Sequence, residues 1–235
     1  MKIVFAAAAL VAAAGAASAA PIAYWSFPAT APAQNYNLTY PIAADFKATA
    51  GVATIDTDAP KYDGSPAPTA IQQGSMQYFG GTTVNAQFAA TAGQALSMRN
   101  DTQNRAQGKS LFVRFDGTGF ADYKLSYAER YSSTGPTGVD IAYSTDGVNY
   151  TAFTSYTTVR DGAFAAAARV IDLSAVNSIE GAASIFFKIT FSGFNSGSNG
   201  TARIDNVLVE GTAIPAPAAA SLLGLVGLAA ARRRR

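Results

Sequence analysis

The 235-residue chain contains no cysteine, no histidine and a single tryptophan, Trp25. Without cysteine there are no disulfide staples, so burial of apolar surface must hold the fold together. Without histidine the commonest general base is missing, along with Ser–His and Cys–His nucleophile systems and the commonest transition-metal ligand. Charge is also scarce, with Asp, Glu, Lys and Arg making up 14% of the residues. Five of the 17 basic residues are Lys2 and Arg232 to Arg235; the stretch between them keeps 12 against all 15 acids, a net charge of −3. A concentrated basic face is therefore not expected, and nucleic acid is not an expected partner.

Helical periodicity is missing from residues 20–213. What stands there instead is a series of short alternating runs separated by turn residues. Ala23 to Phe27 reads as a first strand, and residues 28–68 as loops with short strands. From Lys109 the pattern sharpens: Lys109 to Phe115, Asp122 to Arg130, Gly138 to Ser144, Asn149 to Thr157, Ala166 to Asp172, Ser184 to Phe191 and Thr201 to Glu210 each read as a strand. Asp146-Gly147 supplies a hairpin turn, and Asp116-Gly117-Thr118-Gly119 another turn. Leu173 to Asn177 reads as one helical turn. Ile185, Phe187, Ile189 and Phe191 recur at the period of two that a sheet with one buried side requires. These features predict an all-β fold, an antiparallel two-sheet β-sandwich of the jelly-roll-like kind, over residues 20–212.

Each end carries a different pattern. Lys2, the apolar run Ile3 to Ala14 and the small residues Ala17-Ser18-Ala19 have the build of a secretory signal peptide cleaved by signal peptidase after Ala19, giving a segment 1–19. At the other end Ile214-Pro215-Ala216-Pro217 breaks any preceding structure. Ala218 to Ala231 then runs without a charge into Arg232, Arg233, Arg234 and Arg235. Fourteen residues at about 1.5 Å each give a helix of roughly 21 Å, short against a hydrocarbon core of about 30 Å. The arginines favour the cytoplasmic side, so the rest of the chain is expected outside the inner membrane.

The proline motif, short hydrophobic helix and Arg cluster of residues 213–235 resemble the sorting tail of the PEP-CTERM proteins of Gram-negative bacteria. The resemblance implies an exosortase-type sorting protease as partner, which removes the tail and passes the protein to the cell surface or extracellular matrix. The chain differs from the Val-Pro-Glu-Pro-like motif at Ile214 and Ala216, which leaves open which sorting enzyme reads it. Within the domain, Ser133-Thr134-Gly135-Pro136, Tyr143-Ser144-Thr145-Asp146-Gly147-Val148-Asn149-Tyr150, Asp172-Leu173-Ser174 and Arg203-Ile204-Asp205-Asn206-Val207 resemble bacterial extracellular β-sandwich domains. Such domains are similar to jelly-roll carbohydrate-binding modules.

That second resemblance implies a structural calcium at Asp205, just inside the last strand, with loop acids among Asp45, Asp56, Asp58 and Asp63 completing an oxygen cage. The alternative is that Asp205 caps a turn through a side-chain hydrogen bond. Eleven tyrosines are enough both to fill a core and to leave rings for stacking on sugars. Phe112, Arg114 and Phe186 alternate with core-type neighbours and are expected on the opposite face. The three glutamates, Glu129, Glu180 and Glu210, read as solvated charges at strand ends rather than as a glycosidase pair. The expectation is an exported, non-enzymatic surface or matrix protein with no catalytic residues. The alternative is a carbohydrate-binding module that engages exopolysaccharide, and a glycan hydrolase is the third reading.

Overall fold

The computed structural model describes residues 18–27, 38–61 and 75–215. Ala17, Pro217 and Arg232 to Arg235 lie outside the described residues, as does Asp63. In chain order the strands are β1 (Ala19–Trp25), β2 (Ile42–Ala43), β3 (Phe46–Lys47), β4 (Thr54–Thr57), β5 (Met76–Gly80), β6 (Gln94–Arg99), β7 (Ser110–Phe115), β8 (Phe120–Tyr131), β9 (Gly138–Ser144), β10 (Thr151–Thr157), β11 (Arg169–Asp172), β12 (Ile185–Ser192) and β13 (Thr201–Ala213). One 3-10 turn, Asn177–Ile179, is the only helical element among the described residues. It falls just after the turn predicted at Leu173 to Asn177.

The strands form two antiparallel sheets, as expected. One has six strands in the order β10-β9-β12-β7-β4-β2. The other has seven, in the order β11-β8-β13-β1-β3, with β6 joining β13 and β5 joining β6. Leu111, Val113, Phe115, Val139, Ile141, Ile185, Phe187, Ile189 and Phe191 of the six-stranded sheet are all buried in one apolar core with Tyr123, Leu125, Tyr127, Ile204, Val207 and Val209 of the seven-stranded sheet. Phe115 joins the layers, with its ring 5.4 Å from that of Tyr123 and 5.2 Å from that of Phe187. Burying one such ring is worth about 1.5–3 kcal/mol, and edge contacts between rings add to it.

Strand β13 runs through the middle of its sheet and changes neighbour half-way. Its first half, Thr201 to Ile204, pairs with β6, and its second half, Val207 to Thr212, pairs with β1. The pairing with β8 along the other edge shifts register between Asp205 and Leu208. Asn206 takes the left-handed backbone conformation there (φ 49°), which Asn tolerates better than most residues. Strand β1 begins at Ala19, four residues before the predicted start. Its Ala-rich opening has little β-propensity of its own, but pairing with β13 from Ala19 opposite Thr212 recruits it. Pro21 sits at the register shift of that pairing, where its missing N–H is tolerated.

Glu129 is a correction. Its position near the end of a strand reads as a solvated edge charge, yet the side chain is buried. Its carboxylate accepts hydrogen bonds from Arg169 Nη2 (2.6 Å), Tyr131 Oη (2.9 Å) and Tyr156 Oη (2.7 Å). Tyr156 belongs to β10, while Glu129 and Arg169 belong to β8 and β11, so the cluster ties the edges of the two sheets together. Both carboxylate oxygens of Glu129 accept hydrogen bonds, which is the condition under which a buried charge is tolerated.

Candidate functional site

The two sheets differ in how their outer sides are covered. Strands β6 and β13 are buried along nearly their whole length, on both faces. Strands β4 and β12, and β7 from Leu111 onward, alternate residue by residue between buried and half-buried. The six-stranded sheet therefore has an open outer face, and the pairing registers specify what stands on it.

Two rows of side chains cross that face. In one, Thr54 of β4 lies opposite Arg114 of β7, which lies opposite Phe186 of β12, which lies opposite Ser144 of β9. In the next, Asp56, Phe112, Lys188 and Ala142 are opposite one another in the same way. At the centre of the sheet this makes a two-by-two check of cation and ring. The Arg114 guanidinium stands 5.4 Å from the Phe186 ring, and the Lys188 ammonium 5.8 Å from the Phe112 ring. The sequence places Phe112, Arg114 and Phe186 away from the core. The structure brings them together and adds Lys188, which alternation within Phe187-Lys188-Ile189 puts on the same side as Phe186.

The loop between β9 and β10 folds over this check. Asp146 holds it rigid by accepting hydrogen bonds from the N–H groups of Val148 and Asn149, from Asn149 Nδ2 and from Ser144 Oγ, each at 2.8 Å. Hydrogen bonds from Asn149 and the two backbone N–H groups hold the Asp146 carboxyl well below the usual carboxylate range. Gly147, in the left-handed region at φ 73°, lies against the Phe186 ring. The loop ends on Tyr150, whose ring is 5.9 Å from Phe112 and 5.3 Å from the Lys188 ammonium.

Tyr150 divides the open face into two hollows. The first, about 290 Å³, is walled by Pro41, Thr54, Asp56, Arg114 and Phe186. The second, about 490 Å³, continues over Lys188, Ala142, Ala152, Asp140 and Thr190. Together they form a shallow trough across the strands with one ring projecting between its halves. Its dimensions fall in the range of small-molecule sites, and its open ends leave room for an extended chain.

Asp205 does not belong to this trough. It is fully buried in the β13 irregularity, where its carboxylate accepts hydrogen bonds from the N–H of Thr82 (2.7 Å) and the N–H of Asn206 (2.8 Å). Asn206 reaches the same loop, donating through Nδ2 to the carbonyls of Thr82 and Val84, and its Oδ1 accepts from Tyr24 Oη. Gly81 packs so close to Asp205 that a side-chain carbon there would collide with the carboxylate. The bond from Asn206 is a local cap of the kind the sequence allows, whereas the bond from Thr82 comes from 123 residues away in the chain. Among the described residues no group of three or more acids gathers to hold an ion. Asp45 accepts from Ser26, Asp56 pairs with Lys61, and Asp58 accepts from the Ser110 N–H. Of the sorting and cleavage residues, Ala19 opens β1, and Pro215 is exposed just beyond β13.

No protein-family model matches the chain, and no curated protein matches it in sequence. Some solved structures resemble it in part. The TmCBM61 structure in complex with β-1,4-galactotriose is 11% identical, with a TM-score of 0.39, covering 66% of this chain and 86% of that one. The N-terminal cellulose-binding domain of a β-1,4-glucanase from Cellulomonas fimi is 14% identical, with a TM-score of 0.37, covering 68% and 90%. The K3 cleaved adhesin domain of Lys-gingipain from Porphyromonas gingivalis is 10% identical, with a TM-score of 0.37, covering 52% and 78%. Likeness of this degree transfers neither a ligand nor a site.

Burial pushes the Asp205 carboxyl up to about 7, against the opposing pull of the Thr82 and Asn206 N–H groups. An unfolded aspartate titrates near ~3.9, so between these values the folded chain binds more protons than the unfolded one. Folding stability contributed by this group therefore falls as pH rises from about 4 to 7, and levels off above that. Denaturation of the chelator-treated protein at pH 4, 5.5 and 7 should show the decline, and Asp205→Asn should flatten it. A stability that rises across this window, or that drops on chelator addition at pH 7, would contradict the capping geometry.

Proposed function

We propose that the outer face of the six-stranded sheet is a polysaccharide-binding surface, and that the protein acts by binding rather than by catalysis. The observation that carries this is the trough itself: Phe112, Phe186 and Tyr150 present three rings along an open-ended groove whose floor is fixed by strand pairing. One face of a pyranose ring is made of C–H groups. It packs on the negatively polarised face of an aromatic ring, while hydroxyls at the sugar's edge find the polar groups alongside. Here those groups are Thr54, Asp56, Asp140 and Thr190, which line the hollows on either side of Tyr150. The preorganised 145–150 loop lowers the ordering cost of binding, because Tyr150 is already held in place by the Asp146 turn.

Affinity electrophoresis through gels containing soluble extracellular polysaccharides gives a direct test. Tyr150→Ala should weaken retardation by about tenfold or more, a loss of about 1.4 kcal/mol, with an unchanged unfolding midpoint. Retardation equal to that of the parent chain would remove the trough from consideration.

The setting proposed for this binding is outside the cell, as a component of the surface or exopolysaccharide matrix. The sequence patterns at the two ends support it. Strand β1 begins at Ala19 beside the final residues of β13, so the chain enters and leaves the domain at one point of the seven-stranded sheet. Terminal-peptide mass analysis of the protein from fractionated native cells should find a matrix form that starts at Ala20 and ends near Pro215. A membrane form still carrying Arg232 to Arg235, with no shorter species, would make the tail a plain anchor.

A further inference from the structure

We infer that the chain held in this trough is an acidic polysaccharide, one whose uronate carboxylates are met by Lys188 and Arg114. The inference rests on the polysaccharide-binding reading and adds the charge of the ligand to it.

The cations are the starting point. Lys188 and Arg114 stand diagonally across the β7–β12 pair, with Phe112 and Phe186 on the other diagonal. Diagonal neighbours in an antiparallel pair are roughly 7–8 Å apart. Two long cationic side chains rooted that close share one patch of the face, and like charges on one patch repel each other unless a carboxylate stands between them. None is present among the described residues. Neither cation takes part in an ion pair there, and their recorded contacts are with rings and, for Arg114 Nη2, with Ser184 Oγ at 3.3 Å. The neighbouring carboxylates are otherwise engaged or set apart. Asp56 is paired with Lys61 at 2.7 Å, Asp146 is enclosed by its own turn, and Asp140 lies on the next row, opposite Thr190.

The surroundings make these cations more selective. The domain as a whole carries a net charge of −3, so an acidic polymer is repelled by most of its surface and drawn only to a local patch of opposite sign. Such a patch lies here on the floor of the trough, half-buried between rings, where charges are less screened than on an exposed loop. The spacing also suits a polymer. Each cation has a ring as its direct cross-strand neighbour, so a sugar stacked on Phe186 brings its carboxylate toward Arg114, and one stacked on Phe112 or Tyr150 toward Lys188. The planar guanidinium can meet a carboxylate with two parallel N–H···O bonds, and the ammonium meets one as a point charge.

The test compares polyuronates with the same chains after their carboxyl groups have been reduced to alcohols. The probes are alginate, polygalacturonate and hyaluronate, each with its carboxyl-reduced counterpart, titrated against the full chain. At least one native polyuronate should bind about tenfold or more tighter than its reduced form at low salt, and the gap should close as ionic strength rises to about 0.5 M. Lys188→Gln should bring the ratio of the two affinities toward one. Arg114→Gln should do the same, and Lys188→Gln suffices alone if the Arg114 variant fails to fold. Tyr150→Ala should weaken both forms alike. Reduced chains bound as tightly as native ones, with loss of both in Tyr150→Ala, would overturn the charge inference and leave the polysaccharide reading standing. No binding of either form, with Tyr150→Ala indistinguishable from the parent, would overturn both.

Discussion

The register between β7 and β12 is the constraint on which the rest of this molecule depends. Side chains on a strand alternate between faces, so the placement of Ile185, Phe187, Ile189 and Phe191 in the core dictates that Phe186 and Lys188 stand outside. The pairing of Phe187 with Val113 and of Ile189 with Leu111 does the same for Phe112 and Arg114. A slip of β12 by one residue would expose four large apolar side chains and bury the Lys188 ammonium, a change comparable with a whole domain's stability margin. The apolar core and the outer trough are thus set by one pairing, read from its two sides.

The seven-stranded sheet solves a different problem. Its central strand β13 serves two neighbours in succession, β6 and then β1, and the handover falls at Asp205-Asn206. There the regular ladder fails, and the two side chains supply hydrogen bonds in its place, binding the 82–84 segment and receiving Tyr24. Buried polar groups are tolerable only when satisfied, and the bonds to the 82–84 segment and to Tyr24 join residues far apart in the chain. The Glu129 cluster does equivalent work at the sandwich edge. With no disulfide available, these two polar knots and the aromatic interior hold the layers in place.

Much of the fold was legible because its strands are short, alternating and bounded by turn residues. Gly138 to Ser144 is observed as read, and the Ile185 to Phe191 alternation placed its core face correctly. Strands β5 and β6 were not legible. Met76 to Gly80 and Gln94 to Arg99 mix glutamine, serine and methionine, and they are strands because β13 and each other offer pairing. Glu129 was misread because sequence position cannot show that Arg169, 40 residues away, comes within 2.6 Å. The trough was half visible: alternation indicated that Phe112, Arg114 and Phe186 leave the core, but only the cross-strand registers show that they are neighbours. Tyr150 could not be placed without the Asp146 turn, which carries it back over the sheet.

The proposed function rests on the contrast between the two sheets. One is enclosed on both faces along its central strands β6 and β13 and binds the architecture together. The other is enclosed on one face only, and what it exposes is ordered by strand pairing, half-buried and chemically mixed, with rings for the flat faces of sugars and cations beside them. The measurement that tests this most directly is backbone NMR of the protein titrated with polyuronate oligosaccharides. Shifts confined to Phe112, Arg114, Phe186, Lys188 and the 145–150 loop are the predicted result. Shifts centred instead on the Tyr24, Phe46 and Phe88 hollow of the seven-stranded sheet, or no shifts at any residue, would contradict it.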